Sequence, residues 1–354
     1  MATGDARQVH FQQFITTYKV DIFDPSIDLD DLFACYTVTL LNGDTIKQKK
    51  IKVTTMQGYL KAATQWMRNN GIDYQFNMQS DSSAAKLLKA QKSYETLPAR
   101  RLPLTPAMVF EAVSVISEGS DNLSKLTAFS NWVAVGRHTG NRAQEFAQEK
   151  EDTVQYYVLP DGTQVPRSLT RDDIVFLDKD NNPIELGVDD SLIVAVELRY
   201  EIQKNRDNNQ KISYSRNKEH PKYCIVENMM EICYRAAQLG QPNHLPVNVY
   251  RDDDGITKYM TSDDVTELIR IIAKKVMPDI TDEELSLYSC HSIRVTACVL
   301  LHEAGKDGTY IKLRLRWKSE CFQIYLRNTA TIRAQHTEAL RLADNILAEM
   351  ELNH

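Results

Sequence analysis

Apolar residues recur at helical spacing over the first ninety-odd residues. In 54–70 (TTMQGYLKAATQWMRNN), Met56, Tyr59, Leu60, Ala63 and Met67 fall on one face, and Gly71 ends the pattern. The segment 29–41 (LDDLFACYTVTLL) stops at Asn42-Gly43, and 8–18 and 82–95 complete a set of four predicted helices. Then the pattern breaks. Prolines at 98, 103 and 106 and the pair Arg100-Arg101 read as an inter-domain linker over 98–106. Beyond it 107–117 and 123–138 are again helical. Strand and turn signals follow in 153–166 and 174–186. The segment 191–203 (SLIVAVELRYEIQ) predicts a strong strand, turned by 205–210 (NRDNNQ) into 211–215 (KISYS). Helical periods occupy 222–239, 263–276, 292–304, 309–316 and 319–327, and an amphipathic stretch 329–350 closes the chain. The expected architecture is mainly α with a small β-sheet (α+β). A helical domain 1–97 is joined by the linker to a larger domain 107–354.

Composition narrows the class without naming an activity. With 354 residues, 42% hydrophobic and 25% charged, the chain has the makeup of a soluble globular protein. No stretch approaches the ~20 apolar residues that span a bilayer. The first residues lack a secretory pattern, and the six cysteines form no CxxC pair and no zinc-finger spacing. These features predict an intracellular protein with reduced thiols. Its net charge of −6 argues at first sight against a nucleic-acid partner, but the charge is unevenly spread. From 199 to 222 seven Lys/Arg stand against three Asp/Glu, leaving +4, and from 312 to 341 seven against two leave +5. Binding answers to the field within a Debye length, ~8–10 Å. DNA is therefore permitted as a partner, although charge alone favours a merely solvated surface.

Three local patterns could carry chemistry. In 139–145 (TGNRAQE) Gly140 suits a backbone turn with positive φ, and Arg142 opens the next helix beside Glu145. In 290–294 (CHSIR) His291 and Arg294 are three apart and share a helix side. In 316–327 (RWKSECFQIYLR) Phe322 and Leu326 can pack inward beside Trp317 and Tyr325. Taken singly, each has a plain structural reading: a surface ion pair, a satisfied core histidine, core aromatics. The boxes SAAK, SDN and HTG at 83–86, 120–122 and 138–140 imitate penicillin-binding motifs, but their spacing is far too short for that fold.

The ordered set Arg, Lys at a hairpin, His-x-x-Arg, Trp, Tyr, following a helical domain and a basic proline-rich linker, resembles the tyrosine recombinase family of phage-type integrases. TGNRAQE is similar to its first-arginine box and CHSIR to its His-x-x-Arg box. Lys204 stands where its hairpin lysine is found, Trp317 at its His-or-Trp position, and Tyr325 at its nucleophile. RWKSECFQIYLR looks most like the eukaryotic recombinases of Crypton-type transposons. Val295 replaces the second histidine frequent in bacterial members, and the step from Trp317 to Tyr325 is eight residues, about one shorter than in most of them.

The resemblance implies an N-terminal helical core-binding domain and a C-terminal tyrosine-recombinase catalytic domain, together forming a C-shaped clamp on double-stranded DNA. It implies Tyr325 as nucleophile, Arg142 and Arg294 as phosphate clamp, His291 as general base or relay, Lys204 as general acid and Trp317 as phosphate hydrogen-bond donor, with Glu145 in support. No cofactor, metal or ATP is expected, because a 3′-phosphotyrosine keeps the energy of the broken bond. A tetramer on two DNA sites is expected, with 329–350 either packed on its own domain or donated to a neighbour. The location would be nuclear in a eukaryotic host. Two other readings stand beside recombination: a type IB topoisomerase, and a domesticated DNA-binding module without catalysis.

Overall fold

A computed structural model describes residues 3–95, 100–114, 121–203, 208–326, 329, 332–335 and 337–338. The chain divides into two compact units, Met1–Pro98 and Ala99–His354. The first holds α1 (Thr3–Thr17), α2 (Leu29–Leu41), α3 (Val53–Asn69) and α4 (Ser83–Tyr94). The predicted face of α3 is its buried face: Met56, Tyr59, Leu60, Ala63 and Met67 are all at most 5% exposed. They meet Phe11 and Phe14 of α1, Phe33, Tyr36 and Leu40 of α2, and Leu88 of α4. Asp28 caps α2 by accepting from the Asp30 and Asp31 amides, and Ser82 caps α4.

The second unit begins with α5 (Pro106–Ser114) and α6 (Lys125–Thr139). Residues 100–104, placed by their prolines in the expected linker, are tied into this unit. The Leu102 amide donates to Leu287 O, Arg101 donates to Ser286 O, and buried Leu104 donates its amide to Thr296 Oγ1 at 2.8 Å. Helix α6 is the central element and is buried nearly all round. Three small antiparallel sheets follow: β1 (Tyr156–Val158) with β2 (Gln164–Pro166), the four-stranded β4-β3-β5-β6, and β7 (Val249–Arg251) with β8 (Thr257–Tyr259). In the four-stranded sheet, β3 is Ile174–Leu177, β4 Pro183–Ile184, β5 Ala195–Tyr200 and β6 Gln210–Ser215. Its inner face is written in the alternation. Val196 lies between Phe176 and Tyr214, and Leu198 between Ile174 and Ile212, all six buried.

The remaining helices are α7 (Ile225–Gln238), α8 (Ser262–Val276), α9 (Asp282–Ser286), α10 (His291–Glu303), α11 (Gly308–Leu315) and α12 (Gln323–Leu326). Helix α10 lies directly on α6. A Cβ at Gly136 would overlap Ile293 Cγ2, so only glycine lets the two backbones approach this closely. Helices α10, α11 and α12 share a small core of their own: Val295, Cys298, Val299, Ile311, Leu315, Phe322 and Leu326.

Several local expectations need correcting. The strong strand over 191–203 is shorter, because Asp189 accepts from the Ser191 amide and caps a 3-10 turn, Asp190–Leu192, ahead of β5. The single helix expected over 319–327 is a 3-10 turn, Glu320–Phe322, followed by α12. Arg142 does not open an α-helix; its extended backbone caps a 3-10 turn, Ala143–Glu145. The hairpin β7–β8 and helix α9 were not anticipated. Lys204, residues 205–207, 115–117 and most of 329–350 lie outside the described residues. Among the described residues no helix is long and apolar enough to cross a membrane.

Candidate active site

The cleft is built where α6 and α11 end against the first turn of α10. Helix α6 terminates at Gly140 in the left-handed conformation, φ 54° and ψ 38°. A Cβ there would also press within 3.0 Å of Leu315 Cδ2, so the glycine serves both the turn and the close approach of α11. The chain then delivers Asn141, Arg142 and Glu145 in quick succession. Glu145 is 4% exposed and accepts from the Arg142 amide at 2.8 Å, from Arg142 Nη1 at 2.8 Å and from Arg316 Nη2 at 2.9 Å. Burial pushes its carboxyl up, but the guanidiniums of Arg316, Arg142 and Arg294 outweigh burial and hold it below the ordinary value.

Arg294 enters from the first turn of α10 and is 2% exposed. It donates to Gly140 O and to Leu315 O at 3.1 Å, while its guanidinium stands 4.3 Å from the centre of the Trp317 ring. Arg142 Nη2 reaches the next carbonyl, Arg316 O, at 3.4 Å. The C-terminal carbonyls of α11, which a helix leaves unpaired, thus orient two arginines. Burial pushes the Arg294 guanidinium down to about 9, which leaves it a cation at neutral pH. Among the described residues Arg294 bonds neutral carbonyls and forms no ion pair with a carboxylate, so this buried charge is oriented without being capped.

Tyr325, on α12, packs against the small α10–α11–α12 core and brings its hydroxyl to 3.1 Å from His291 Nε2 at the start of α10. Its ring centre is 6.2 Å from that of Trp317. Burial raises the phenol above its ordinary value, against the pull of Arg294 and Arg100. Burial lowers His291 below 6.5, and Arg294 and Arg101 lower it further. At neutral pH the imidazole is therefore neutral. With the ring proton on Nδ1, Nε2 can take a proton from the phenol. The Trp317 indole N–H is buried and has no hydrogen-bond partner among the described residues. A buried donor left in this way costs about 1–3 kcal/mol until something accepts from it.

Arg142, His291, Arg294, Trp317 and Tyr325 line one cleft of about 710 Å³. These are five of the six expected catalytic residues; the sixth, Lys204, lies outside the described residues, and Glu145 is the buried carboxylate behind Arg142. Two cations, an unpartnered N–H, and a hydroxyl beside a neutral imidazole suit an anion that undergoes nucleophilic attack. Among the described residues no group of His, Cys, Asp and Glu could hold a metal ion.

Sequence reasoning missed Arg316. It is 3% exposed and takes the left-handed conformation, φ 57° and ψ 47°, as the cap of α11. A non-glycine residue there costs roughly 1–2 kcal/mol. Its guanidinium stands 3.3 Å from the centre of the Tyr200 ring. It also donates to Asn141 Oδ1 at 3.0 Å and Gln203 Oε1 at 3.4 Å. Also missed was the role of Arg100 and Arg101, read only as linker charge, whose fields reach Tyr325 and His291.

No protein-family model matches this chain, and no curated protein matches it in sequence. Solved structures do match. One is the XerH site-specific recombinase bound to palindromic difH substrate in a post-cleavage complex, at TM-score 0.54 and 13% identity. That match covers 95% of this chain and 77% of that one. Another is the Tn1549 transposon integrase in complex with transposon right end DNA, at TM-score 0.48 and 13% identity, covering 95% and 93%. A third is the XerA recombinase, at TM-score 0.39 and 14% identity, covering 94% and 90%. The chain shares the fold of XerH, an α+β fold of helices with small antiparallel sheets.

Proposed function

We propose that this protein is a tyrosine recombinase that cleaves and rejoins DNA strands through a covalent bond to Tyr325. The observation that carries the reading is the Tyr325 hydroxyl, 3.1 Å from a neutral His291, in a cleft that also presents two guanidiniums and the unpartnered Trp317 N–H. A phosphodiester resists attack because its oxygens are anionic, and the pentacoordinate transition state concentrates that charge. Arg142 and Arg294 hold the non-bridging oxygens and stabilise the transition state more than the ground state. The Trp317 N–H donates to one of them.

His291 Nε2 takes the phenolic proton as the bond from Tyr325 Oη to phosphorus forms. The bond from phosphorus to the 5′ oxygen breaks, and the leaving oxygen takes its proton from Lys204, the general acid in this reading. A 3′-phosphotyrosine and a free 5′ hydroxyl result. Attack by a 5′ hydroxyl reverses the steps and rejoins a strand, so the exchange needs neither ATP nor metal.

Duplex DNA is the partner. Exposed Lys47, Lys49, Lys50 and Lys52 of the first unit add to the cationic surface available to its phosphates. In this reading the chain belongs to a mobile element of the Crypton type, works in the nucleus of a eukaryotic host and assembles as a tetramer on two sites.

The test is covalent capture from a library of singly nicked duplexes of random sequence, in which the short cleaved strand diffuses away and traps the adduct. The expected result is protein–DNA adduct that survives denaturation and disappears in Tyr325→Phe. Duplex binding without any adduct would identify a DNA-binding module instead, and relaxation of supercoiled plasmid by the monomer would identify a topoisomerase.

A further inference from the structure

We propose that Arg316 is a positioning residue for strand transfer, holding Glu145 and thereby the fork of Arg142, and fixing Trp317 at the same time. The inference rests on the strand-transfer reading above.

Arg316 occupies a conformation that favours glycine, φ 57°, and its side chain is fully buried. A side chain is kept at such a backbone position where it does something glycine would not. Here it joins three parts of the cleft. Glu145 Oε2 accepts from Arg316 Nη2, while Oε1 accepts from Arg142 Nη1. The carboxylate is thus stretched between two guanidiniums, and its orientation sets which way Arg142 faces. Asn141 Oδ1 accepts from Arg316 Nη2 and also from the Tyr200 hydroxyl at 2.8 Å, which ties the arginine box to β5. Gln203 Oε1 takes the other arm of the guanidinium, beyond the end of the same strand. The Arg316 carbonyl accepts from Arg142 Nη2, and the next residue in the chain is Trp317. Arg316 itself does not line the cleft, so it acts through these neighbours and not on the phosphate.

The left-handed backbone supplies a clean variant. Arg316→Gly removes the guanidinium from a position whose backbone glycine prefers, and Arg316→Lys keeps the charge without the planar fork. Single-turnover adduct formation and equilibrium duplex binding are measured on a nicked duplex selected by covalent capture, using the full chain. The temperature is one at which circular dichroism shows each variant folded. Misplacing Arg142 leaves binding to be supplied by the other phosphate contacts and slows the chemical step. Arg316→Gly is expected to lose about 100-fold in adduct rate with duplex affinity within about 3-fold of the parent. Lysine recovers part of the rate, to within about 10-fold of the parent. In a Glu145→Gln background, Arg316→Gly costs less than about 3-fold further, because its main route to Arg142 is already cut.

The inference is overturned if Arg316→Gly cleaves at the parental rate, if rate and affinity fall together in both variants, or if the two substitutions act independently. Should the glycine variant not fold, Arg316→Lys decides alone: a slower chemical step at unchanged affinity supports the assignment, and a parental rate removes it. Absence of adduct from the unsubstituted chain sinks the strand-transfer reading itself, a failure told apart because no variant is involved.

Discussion

Replacing Glu145 by glutamine removes one charge from a buried cluster in which three guanidiniums surround a single carboxylate. The carboxylate accepts from the Arg142 amide, Arg142 Nη1 and Arg316 Nη2, all within 2.9 Å. Glutamine keeps the shape and one acceptor oxygen, but it turns the other oxygen into a donor facing a donor. Arg316, fully buried, then loses its ion pair with this carboxylate. Breaking a buried ion pair by removing one partner costs about 3–5 kcal/mol. For a unit of this size that corresponds to a fall in Tm of roughly 6–20 °C. Calorimetry or near-ultraviolet circular dichroism at neutral pH measures it.

The pH dependence has a definite sign. The Glu145 carboxyl is held below its unfolded value in the folded state. Its contribution is therefore complete above the unfolded value and is lost only as pH falls through the folded one. The deficit of Glu145→Gln should be as large at pH 5 as at pH 7, and should shrink only in stronger acid. A fall in Tm under about 2 °C at neutral pH, against a scale of 2–4 °C per kcal/mol, would refute the buried-network argument. So would a deficit that vanished already at pH 5.

The acid limb of the cleavage rate should fall only below the ordinary histidine value of 6.5, because burial, Arg294 and Arg101 depress His291; a pH–rate profile with its inflection above neutrality would contradict this. His291→Ala should lower the single-turnover rate by about 10²–10⁴-fold and flatten that limb. Gly136→Ala drives a methyl group into Ile293 Cγ2 at the α6–α10 contact and should destabilise by about 1–3 kcal/mol in denaturant unfolding, and should cost less in an Ile293→Ala background, where Cγ2 is gone.

Three of the four helices of the first unit were legible in their spacing, whereas α1, expected over 8–18, starts five residues earlier, at Thr3. The face of α3 could be listed residue by residue, but the caps Asp28 and Ser82 emerged only in the structure. The four-stranded sheet was legible in the alternation of β5, where Val196, Leu198 and Tyr200 point inward. The β7–β8 hairpin was hidden by three consecutive aspartates at 252–254. There Asp252 Oδ1 accepts from the Asp254 and Ile256 amides, which makes the turn, but the same letters read as a patch of surface charge.

In the cleft, Arg142, His291, Arg294, Trp317 and Tyr325 were found only as an ordered set, since each alone reads as ordinary structure. The eight-residue step from Trp317 to Tyr325 is taken up by a 3-10 turn and a one-turn helix, and the hydroxyl still reaches His291. Arg316 left no signal, because nothing local distinguishes a buried arginine at a left-handed helix cap from a surface arginine near a helix end. Its meaning depends on Glu145, Asn141 and Tyr200, which are more than a hundred residues away in the chain.

The most direct measurement is mass spectrometry of the protein–DNA adduct after exhaustive digestion of both components. The account predicts one modified peptide, carrying a nucleotide joined through its 3′ phosphate to Tyr325, with the released strand bearing a free 5′ hydroxyl. Modification of Tyr310, on the exposed side of α11, or a 5′-phosphate linkage at any residue, would contradict it.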